Sequence, residues 1–323
     1  MAGEWWEYGL LGFGLTNVTP WRVGTSFILF RRGNLTAGLW RLPPSSLPGV
    51  LDWAEALAEM IAPPLPVEAG GGKRYFLLED GSAVLLTAWP GVGLPRQKPG
   101  RDLADLLLFL ARLRRRAEER REAVPLLPGR AWLFSWRERI RRLDSFALVA
   151  ARRLHPTEFD RIFLRRYETI REEAARSLTA LTAALAGIKG ETVGLEKIER
   201  GFFYRDEDGR IRLKNPGWLV AVEPMRDVYR LLVRYLPRLE FSCRTVVAAL
   251  ELYRAACPTI GREEWEGLLA ALLFPEDYYG LACRYFFHLV PWPLSIFLRQ
   301  ERRIWAGEPA RRTLVKELGA FLS

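Results

Sequence analysis

Residues 83–100 have the sequence AVLLTAWPGVGLPRQKPG, and this stretch divides the chain into two parts of different character. It begins with an apolar run from Ala83 to Ala88, which is typical of a buried strand. It continues into a segment dense in proline and glycine, which interrupts regular structure and indicates a hinge or a linker. The sequence on each side of residue 92 therefore predicts a separate domain.

Before this stretch the sequence alternates between short β-like runs and turn residues. The runs are Trp21–Val23, Ser26–Phe30, Leu39–Leu42, Arg74–Leu78 and Ala83–Ala88. Gly33-Asn34 and Asp80-Gly81 lie between runs and are typical of hairpin turns. One amphipathic helix is predicted from about Leu47 to Ile61, ending before Pro63-Pro64. These patterns predict a β-rich N-terminal domain over residues 1–92.

After the stretch the apolar residues recur at helical spacing. The first helix is predicted over Asp102–Glu122. Further helices are predicted over Trp132–Leu154, Thr157–Ala186, Met225–Leu236, Phe241–Ala256, Arg262–Leu273, Tyr278–Leu289 and Ala310–Leu322. A short β-like insert spans about residues 192–221, with Asp208-Gly209 as its turn. We expect a helical C-terminal domain over residues 93–323 that carries this insert.

Composition and charge narrow the class of protein. Hydrophobic residues make up 49% of the 323 residues and charged residues 27%, as in globular proteins. No apolar run is long enough to cross a membrane, and the first residues lack the features of a signal peptide. We therefore expect a cytoplasmic protein with no membrane partner.

The net charge of +10 comes mostly from arginine, since only six residues are lysine. One cluster lies at residues 114–121 and a second at residues 137–142. Such clusters attract polyanions, and nucleic acid is one reading of them. Glutamates at 118, 119, 122 and 138 interleave with the arginines, however, as on a solvated helix face with ion pairs four residues apart. The interleaving favours the solvated face over a nucleic-acid interface.

The sequence contains few residues that could bind a metal ion. The three cysteines, Cys243, Cys257 and Cys283, are widely spaced, and the histidines are only His155 and His288. A zinc site needs about four ligands, typically in closely spaced pairs, and neither the cysteines nor the histidines have that spacing. We predict no metal site and three free thiols.

The order of elements is the layout of kinases, so the predicted fold class is α+β, a protein-kinase-like fold of two lobes. Three motifs add to it: TAWPG at Thr87–Gly91, MRDV at Met225–Val228 and LFPEDYY at Leu273–Tyr279. In their order and spacing, over roughly Gly9 to Arg303, the chain resembles the bacterial spore-coat kinase-like proteins. That family is related to choline and aminoglycoside kinases.

The resemblance implies where a kinase site would lie, and these positions are degenerate. Members with an intact site have a catalytic loop His-x-Asp-x-x-x-x-Asn with a glycine before the asparagine. The matching segment is Leu195–Phe202, in which Gly201 is kept, the aspartate is Lys197 and the asparagine is Phe202.

By the same resemblance, the positions that would bind metal and nucleotide are also degenerate. The metal motif Ile-Asp-x-Asp falls on Lys214-Asn215-Pro216-Gly217, so Asn215 replaces an aspartate. The phosphate-binding lysine of the third strand falls on Trp40, and Arg41 beside it is a weak candidate to replace that lysine. Glu55 or Glu59 would be the partner of the lost lysine and is expected to be surface charge.

Phosphoryl transfer depends on Mg²⁺, held by carboxylates, and on an aspartate that accepts the proton of the attacking hydroxyl. Lys197, Phe202 and Asn215 supply neither the carboxylates that hold Mg²⁺ nor the aspartate that accepts the proton. We therefore expect a catalytically inactive pseudokinase with no cofactor. The retained residues are expected to be structural: Gly201, Arg226, Asp227, Phe274 and Pro275.

The resemblance also implies a place and a class of partner. A member of this family would be made in the mother-cell cytoplasm and would join the spore coat. Its partners would be other proteins, with acidic coat components as candidates, because arginine binds carboxylates through paired hydrogen bonds. Two alternatives stay open. One is an active ATP-dependent phosphotransferase for a small hydroxylated substrate, and the other is a basic module that binds polyanions or nucleic acid.

Overall fold

The computed structural model describes most of the chain and divides it into two compact units. The described residues are 5–13, 15, 18, 20–23, 26–32, 35–62, 74–90, 98–120, 126, 128, 131–188, 190–196, 198 and 200–322. The first unit takes in residues 1–98, 108–129 and 192–222, and the second takes in residues 99–107, 130–191 and 223–323. The sequence-defined domain of residues 93–323 thus contributes three segments to the first unit, residues 93–98, 108–129 and 192–222.

A five-stranded antiparallel sheet forms the centre of the first unit, as far as its residues are described. Its strands are β1 Pro20–Val23, β2 Phe27–Arg32, β3 Leu35–Leu42, β4 Phe76–Leu77 and β5 Ala83–Pro90. Their order across the sheet is β1-β2-β3-β5-β4. Strands β3 and β5 pair along their whole length, from Leu35 opposite Pro90 to Leu42 opposite Ala83. All five predicted strands are confirmed, although β3 begins four residues earlier than its apolar run.

Both faces of the sheet are buried. Successive side chains of a strand point to opposite faces, so neighbouring residues of β3 and β5 pack on opposite sides of the sheet. On one face a helix absent from the sequence-based prediction, α1 (Trp5–Gly12), covers residues such as Phe30, Leu39 and Val84. On the other face the side chains of Trp40, Leu42, Leu85 and Trp89 are buried. Burial on both sides accounts for the continuous apolar runs in β3 and β5.

The insert is β-structured, as predicted, and joins the first unit. Strand β6 (Thr192–Leu195) pairs with β9 (Leu219–Val222), and β7 (Phe203–Arg205) pairs with β8 (Ile211–Leu213). Short 3₁₀ turns lie at Pro44–Ser46, Arg200–Phe202 and Pro216–Trp218. Helix α2 (Leu47–Ala56) ends five residues before the predicted Ile61, and α3 (Pro99–Glu119) contributes its second half to this unit. Backbone bonds from Leu213 N to Met60 O and from Ala62 N to Leu213 O, both 2.8 Å, tie the insert to the segment after α2.

The second unit is helical. Its described helices are α4 Trp132–Arg152, α5 Glu158–Gly187, α6 Arg226–Tyr235, α7 Cys243–Ala256, α8 Arg262–Leu272, α9 Glu276–Phe286 and α10 Leu294–Leu322, with a 3₁₀ turn at Leu236–Leu239. Thr157 and Asp160 form a capping box at the start of α5, where each satisfies a backbone N–H of the first turn. Helix α5 packs against α4 and α8. Helix α10 begins 16 residues before the predicted Ala310 and continues through Pro309, so the predicted start is wrong.

Candidate functional site

Three of the four positions predicted to be degenerate kinase positions come together in the first unit, around an aromatic cluster. The cluster consists of Phe27, Trp40, Trp89, Phe202, Tyr204 and Trp218. Ring centroids lie 5.1 Å apart for Trp40 and Trp218, and 3.9 Å apart for Phe202 and Trp218. Asn215 begins the turn that carries Trp218. The fourth position, Lys197, lies outside the described residues.

Trp40 is the centre of the aromatic cluster and is only 2% exposed. Its indole packs between the rings of Phe27, Trp89 and Trp218 and lies back over Gly38. A Cβ added at Gly38 would lie 2.5 Å from the indole Cζ2, which no packed structure tolerates. The glycine at position 38 is therefore the partner that lets the indole lie flat on the strand.

A chain of buried hydrogen bonds satisfies the polar atoms at this centre. Trp40 donates its Nε1–H to the Thr87 hydroxyl at 2.7 Å, and that hydroxyl donates to the carbonyl of Lys214 at 2.8 Å. Buried polar groups left unpaired are costly, so these bonds fix the indole in one orientation. Strands β3 and β5 and the insert are joined here by side-chain contacts.

Lys214, at the first position of the predicted metal motif, is 5% exposed. Its ammonium donates to the Gly201 carbonyl at 2.8 Å and lies 5.0 Å from the centre of the Trp89 ring. Its backbone N–H donates to the carbonyl of Phe202 at 2.9 Å. A cation over an indole face is attracted by the ring. Lys214 thus clamps the segment at residues 201–202 against the aromatic cluster.

Asn215, at the position predicted for a metal-binding aspartate, is 3% exposed and bonded to the backbone. Its Oδ1 accepts a 2.8 Å hydrogen bond from the N–H of Gly217, which caps the turn Pro216–Trp218. Gly217 packs closely against Leu42, since a Cβ there would lie 2.2 Å from Leu42 Cδ2. The amide of Asn215 therefore acts as a turn cap.

Arg41 lies on the opposite face of β3 from Trp40, as neighbours in a strand must. Its guanidinium forms an ion pair with Asp80 and donates from Nε to the Ser82 hydroxyl at 3.0 Å. It also lies 5.9 Å from the ring of Trp5 in α1. Hydrogen bonds from Ser82, followed by that from Arg41, lower the pKa of the Asp80 carboxyl. A role for Arg41 in nucleotide binding stays a prediction.

Magnesium and ATP, which the kinase-like fold implies, do not fit the residues present at these positions. Indole and phenyl rings carry no ligand oxygen, and the Asn215 oxygen is already bonded to Gly217. Among the described residues, no three or more His, Cys, Asp or Glu side chains are grouped closely enough to hold a metal ion. Mg²⁺ prefers carboxylate and phosphate oxygens. We therefore derive no phosphoryl-transfer step for this site.

The residues expected to be structural lie at helix ends of the second unit, apart from Gly201. Arg226 and Asp227 begin α6, with Asp227 in the first turn, where a carboxylate interacts favourably with the helix dipole. Phe274 and Pro275 lie between α8 and α9. The Phe274 ring is 2% exposed and packs on Trp136 with centroids 5.1 Å apart.

Sequence reasoning missed a second aromatic site, in the second unit. The Arg139 guanidinium lies 4.7 Å from the Trp136 ring, 5.3 Å from the Tyr279 ring and 5.5 Å from the Phe274 ring. It forms an ion pair with Glu276, whose carboxylate also accepts a 2.9 Å hydrogen bond from the Tyr229 hydroxyl.

Burial, reinforced by the Glu276 charge, raises the pKa of Tyr229, so this phenol stays protonated and keeps its donor role. The interleaved charges around Arg139 instead predict a solvated face for it and the rest of its cluster. The signal that could have singled it out is the glutamate of the LFPEDYY motif, which needs a cation once it is half-buried.

No family model and no curated protein sequence matches the chain. Solved structures do. An aminoglycoside phosphotransferase from Alicyclobacillus acidocaldarius is similar with a TM-score of 0.74 and 15% identity, over 94% of this chain and 92% of that one. An amicoumacin kinase in complex with AMP-PNP is similar with a TM-score of 0.59 and 14% identity, over 97% and 92%. An AMP-bound spectinomycin phosphotransferase is similar with a TM-score of 0.55 and 10% identity, over 97% and 96%.

At these identities the similarity establishes the fold alone. The chain has a protein-kinase-like α+β fold of two lobes, the fold of the aminoglycoside phosphotransferases, and the predicted fold class is confirmed. None of the helices in the described ranges is both long and apolar enough to span a membrane.

Proposed function

We propose that this chain is a pseudokinase, a kinase-fold protein that transfers no phosphate and acts through contacts with other proteins. One observation carries the proposal. Trp40, at the position of the phosphate-binding lysine, is buried in the aromatic cluster and hydrogen-bonded to Thr87. An indole held in this way can neither approach nor neutralise a phosphate.

The energetics support the proposal. Catalysis by kinases is positioning plus electrostatic stabilisation of the transferred phosphoryl group, and Mg²⁺ supplies most of the positive charge. Asn215 brings no charge to a metal, and Phe202 brings no oxygen. Removing one partner of a charge-assisted contact costs about 1.5–3 kcal/mol, so several such losses are decisive even when each is partly offset.

Mg²⁺ is expected to add nothing to any thermal stabilisation that ATP gives the full chain. A ligand present at about a hundred times its dissociation constant stabilises the folded state by about 2.7 kcal/mol, which is readily seen as a higher melting temperature. The measurement is a melting curve with ATP, with and without Mg²⁺. A melting temperature that rises only when both are present would overturn the pseudokinase proposal.

An active phosphotransferase for a small hydroxylated substrate is the second candidate. The similarity in fold to an aminoglycoside phosphotransferase and to an amicoumacin kinase favours it. It requires carboxylates from outside the aligned motifs to hold the metal. Mg²⁺-dependent release of ADP with hydroxylated acceptors would support this candidate, and it would come with the Mg²⁺-dependent rise in melting temperature.

We propose in addition that the protein is retained at the surface of the bacterial spore. The motifs TAWPG, MRDV and LFPEDYY support this through the family that they resemble, and exposed arginines suit acidic protein partners. A fluorescent fusion followed through sporulation is expected to gather around the forespore and to be released by high salt. Diffuse signal that never gathers there would remove the spore assignment and leave the pseudokinase proposal intact.

A further inference from the structure

The first unit carries a second candidate site, a groove of about 380 Å³ lined by charged side chains. We name it the arginine groove and define it by Arg112, Arg115, Arg116 and Arg210 together with Glu59 and Glu119. Its lining includes none of the residues of the aromatic cluster. Nothing in the proposed pseudokinase role accounts for it.

The walls of the arginine groove are fixed by backbone contacts. Positions 112, 115, 116 and 119 fall on one face of α3, as their spacing of three to four residues requires. The facing wall is the start of β8, which is held to the segment after α2 by the bonds of Leu213 with Met60 and Ala62. Arg212 adds a 2.9 Å hydrogen bond from Nη1 to the carbonyl of Ala58. The groove is therefore formed before any ligand arrives.

The net charge of the groove is positive, and its glutamates neutralise only part of the charge of its arginines. Four arginines and two glutamates leave a net charge of +2. Arg116 binds both Glu59, at 2.6 Å, and Glu119, at 3.0 Å, and Arg115 binds Glu119 at 3.1 Å. These guanidiniums are exposed, and exposed ion pairs contribute little, so a ligand anion can compete with the glutamates.

The other two arginines have more capacity for a ligand. Within the described part of the chain Arg112 forms no ion pair, and Arg210 approaches Asp208 only at 3.9 Å. Both side chains are exposed and face the same cavity. A guanidinium presents paired donors that match phosphate and carboxylate oxygens.

We propose that the arginine groove binds a compact polyanion, a small molecule that carries several phosphate or carboxylate groups. The half-buried Ile211 adds an apolar contact for the carrier of those groups. The four guanidiniums surround one cavity and do not follow a long track, which favours a compact ligand over a nucleic-acid backbone. The proposal does not depend on the kinase positions.

Calorimetric titration of the full chain with tripolyphosphate, in the absence of Mg²⁺, is the test. We expect one site per chain, with affinity that falls steeply when the salt rises from about 50 to about 300 mM, because exposed charges are screened. Parallel titration with citrate distinguishes a preference for phosphate from one for carboxylate. Absence of binding to both probes at low salt would overturn the proposal.

Two variants of the groove are expected to change the affinity for tripolyphosphate in opposite directions. Arg112→Ala with Arg210→Ala is expected to weaken tripolyphosphate binding by about a hundredfold, since each of the two lost charge-assisted bonds is worth about one decade of affinity. Glu119→Gln is expected to tighten binding severalfold, because it removes a like charge and a competitor for Arg115 and Arg116.

The matched control is Arg141→Ala with Arg262→Ala, which removes the same charge from two exposed positions of the second unit. It is expected to leave the affinity within about twofold of the parent chain. Equal weakening by the control, or weaker binding by Glu119→Gln, would show that net charge and not the groove is responsible. Mg²⁺-dependent ATP binding that Arg112→Ala with Arg210→Ala leaves unchanged would overturn the pseudokinase proposal but not this one.

Discussion

Replacing Trp40 by alanine is expected to lower the free energy of unfolding by about 3–5 kcal/mol, the usual cost of deleting a buried aromatic side chain. The indole is 2% exposed and contacts the rings of Phe27, Trp89 and Trp218. Its loss also leaves the Thr87 hydroxyl without its donor. Urea denaturation of the variant beside the parent chain measures the difference.

Two further variants separate packing from hydrogen bonding. Trp40→Phe keeps an aromatic ring but loses the donor to Thr87, so a smaller loss of about 1–3 kcal/mol is expected. Trp292→Ala, at a tryptophan that is 37% exposed, serves as the control and is expected to cost about 1 kcal/mol. A Trp40→Ala variant as stable as this control would mean that the aromatic cluster is not packed as described.

The cavity left by Trp40→Ala is expected to bind indole and not nucleotide. The cavity would be lined by the aromatic rings and by the Thr87 hydroxyl. Indole fits this shape and can donate its N–H to that hydroxyl, so added indole is expected to restore part of the lost melting temperature. Phe202 and the turn-capping Asn215 remain in place, so ATP with Mg²⁺ is expected to give no such rescue. Rescue by ATP with Mg²⁺ would show that Trp40 alone blocks a working site.

The regular elements could be predicted because their periodicity is local. The apolar runs of β3 and β5 and the helical spacing of apolar residues in α3 are visible within about ten residues. Helix α1 was missed because Trp5–Gly12 is short and apolar on most sides, and such a run does not distinguish a helix from a strand. The start of α10 was missed because Pro309 usually ends a helix, whereas here the helix continues through it.

The sequence could predict which positions form the candidate site but not the contacts that its side chains make. Alignment with the motifs selected Trp40, Phe202 and Asn215, and the fold brings these residues together. It could not place Thr87, the first residue of the TAWPG motif, in this site, because its hydroxyl bonds to the carbonyl of Lys214 across 127 residues of sequence. No local pattern reports a contact between segments so far apart, and the filling of the site by aromatic rings depends on several such contacts.

The same limit explains why the environment of Arg139 was missed. Its neighbours along α4 are charged, and their interleaving indicates a solvated face. The residues that cover it, Phe274, Glu276 and Tyr279, lie far along the chain; Glu276 is 137 positions away. Charge patterning identifies the face of a helix but not what packs on that face.

Replacing Arg139 by alanine is accordingly expected to lower the free energy of unfolding by about 2–4 kcal/mol. Removing one partner of a buried ion pair costs about 3–5 kcal/mol, because the other charge is left uncompensated. Here the side chains of Arg139 and Glu276 are 25% and 24% exposed, so solvent reduces that cost. Loss of the cation from three aromatic faces adds to it. Urea denaturation measures the effect.

Companion variants identify the cause of that loss. Arg139→Lys keeps the charge but not the planar fork, so an intermediate loss of about 1–2 kcal/mol is expected. Arg139→Met with Glu276→Gln removes both charges and is expected to cost less than Arg139→Ala alone, because no buried charge is left unpaired. Arg141→Ala, at a side chain that is 75% exposed, is the control and is expected to change stability by at most about 0.5 kcal/mol. If Arg139→Ala costs no more than this control, the guanidinium does not hold α4 and α9 together, and Glu276 must find its stabilisation in the hydrogen bond from Tyr229.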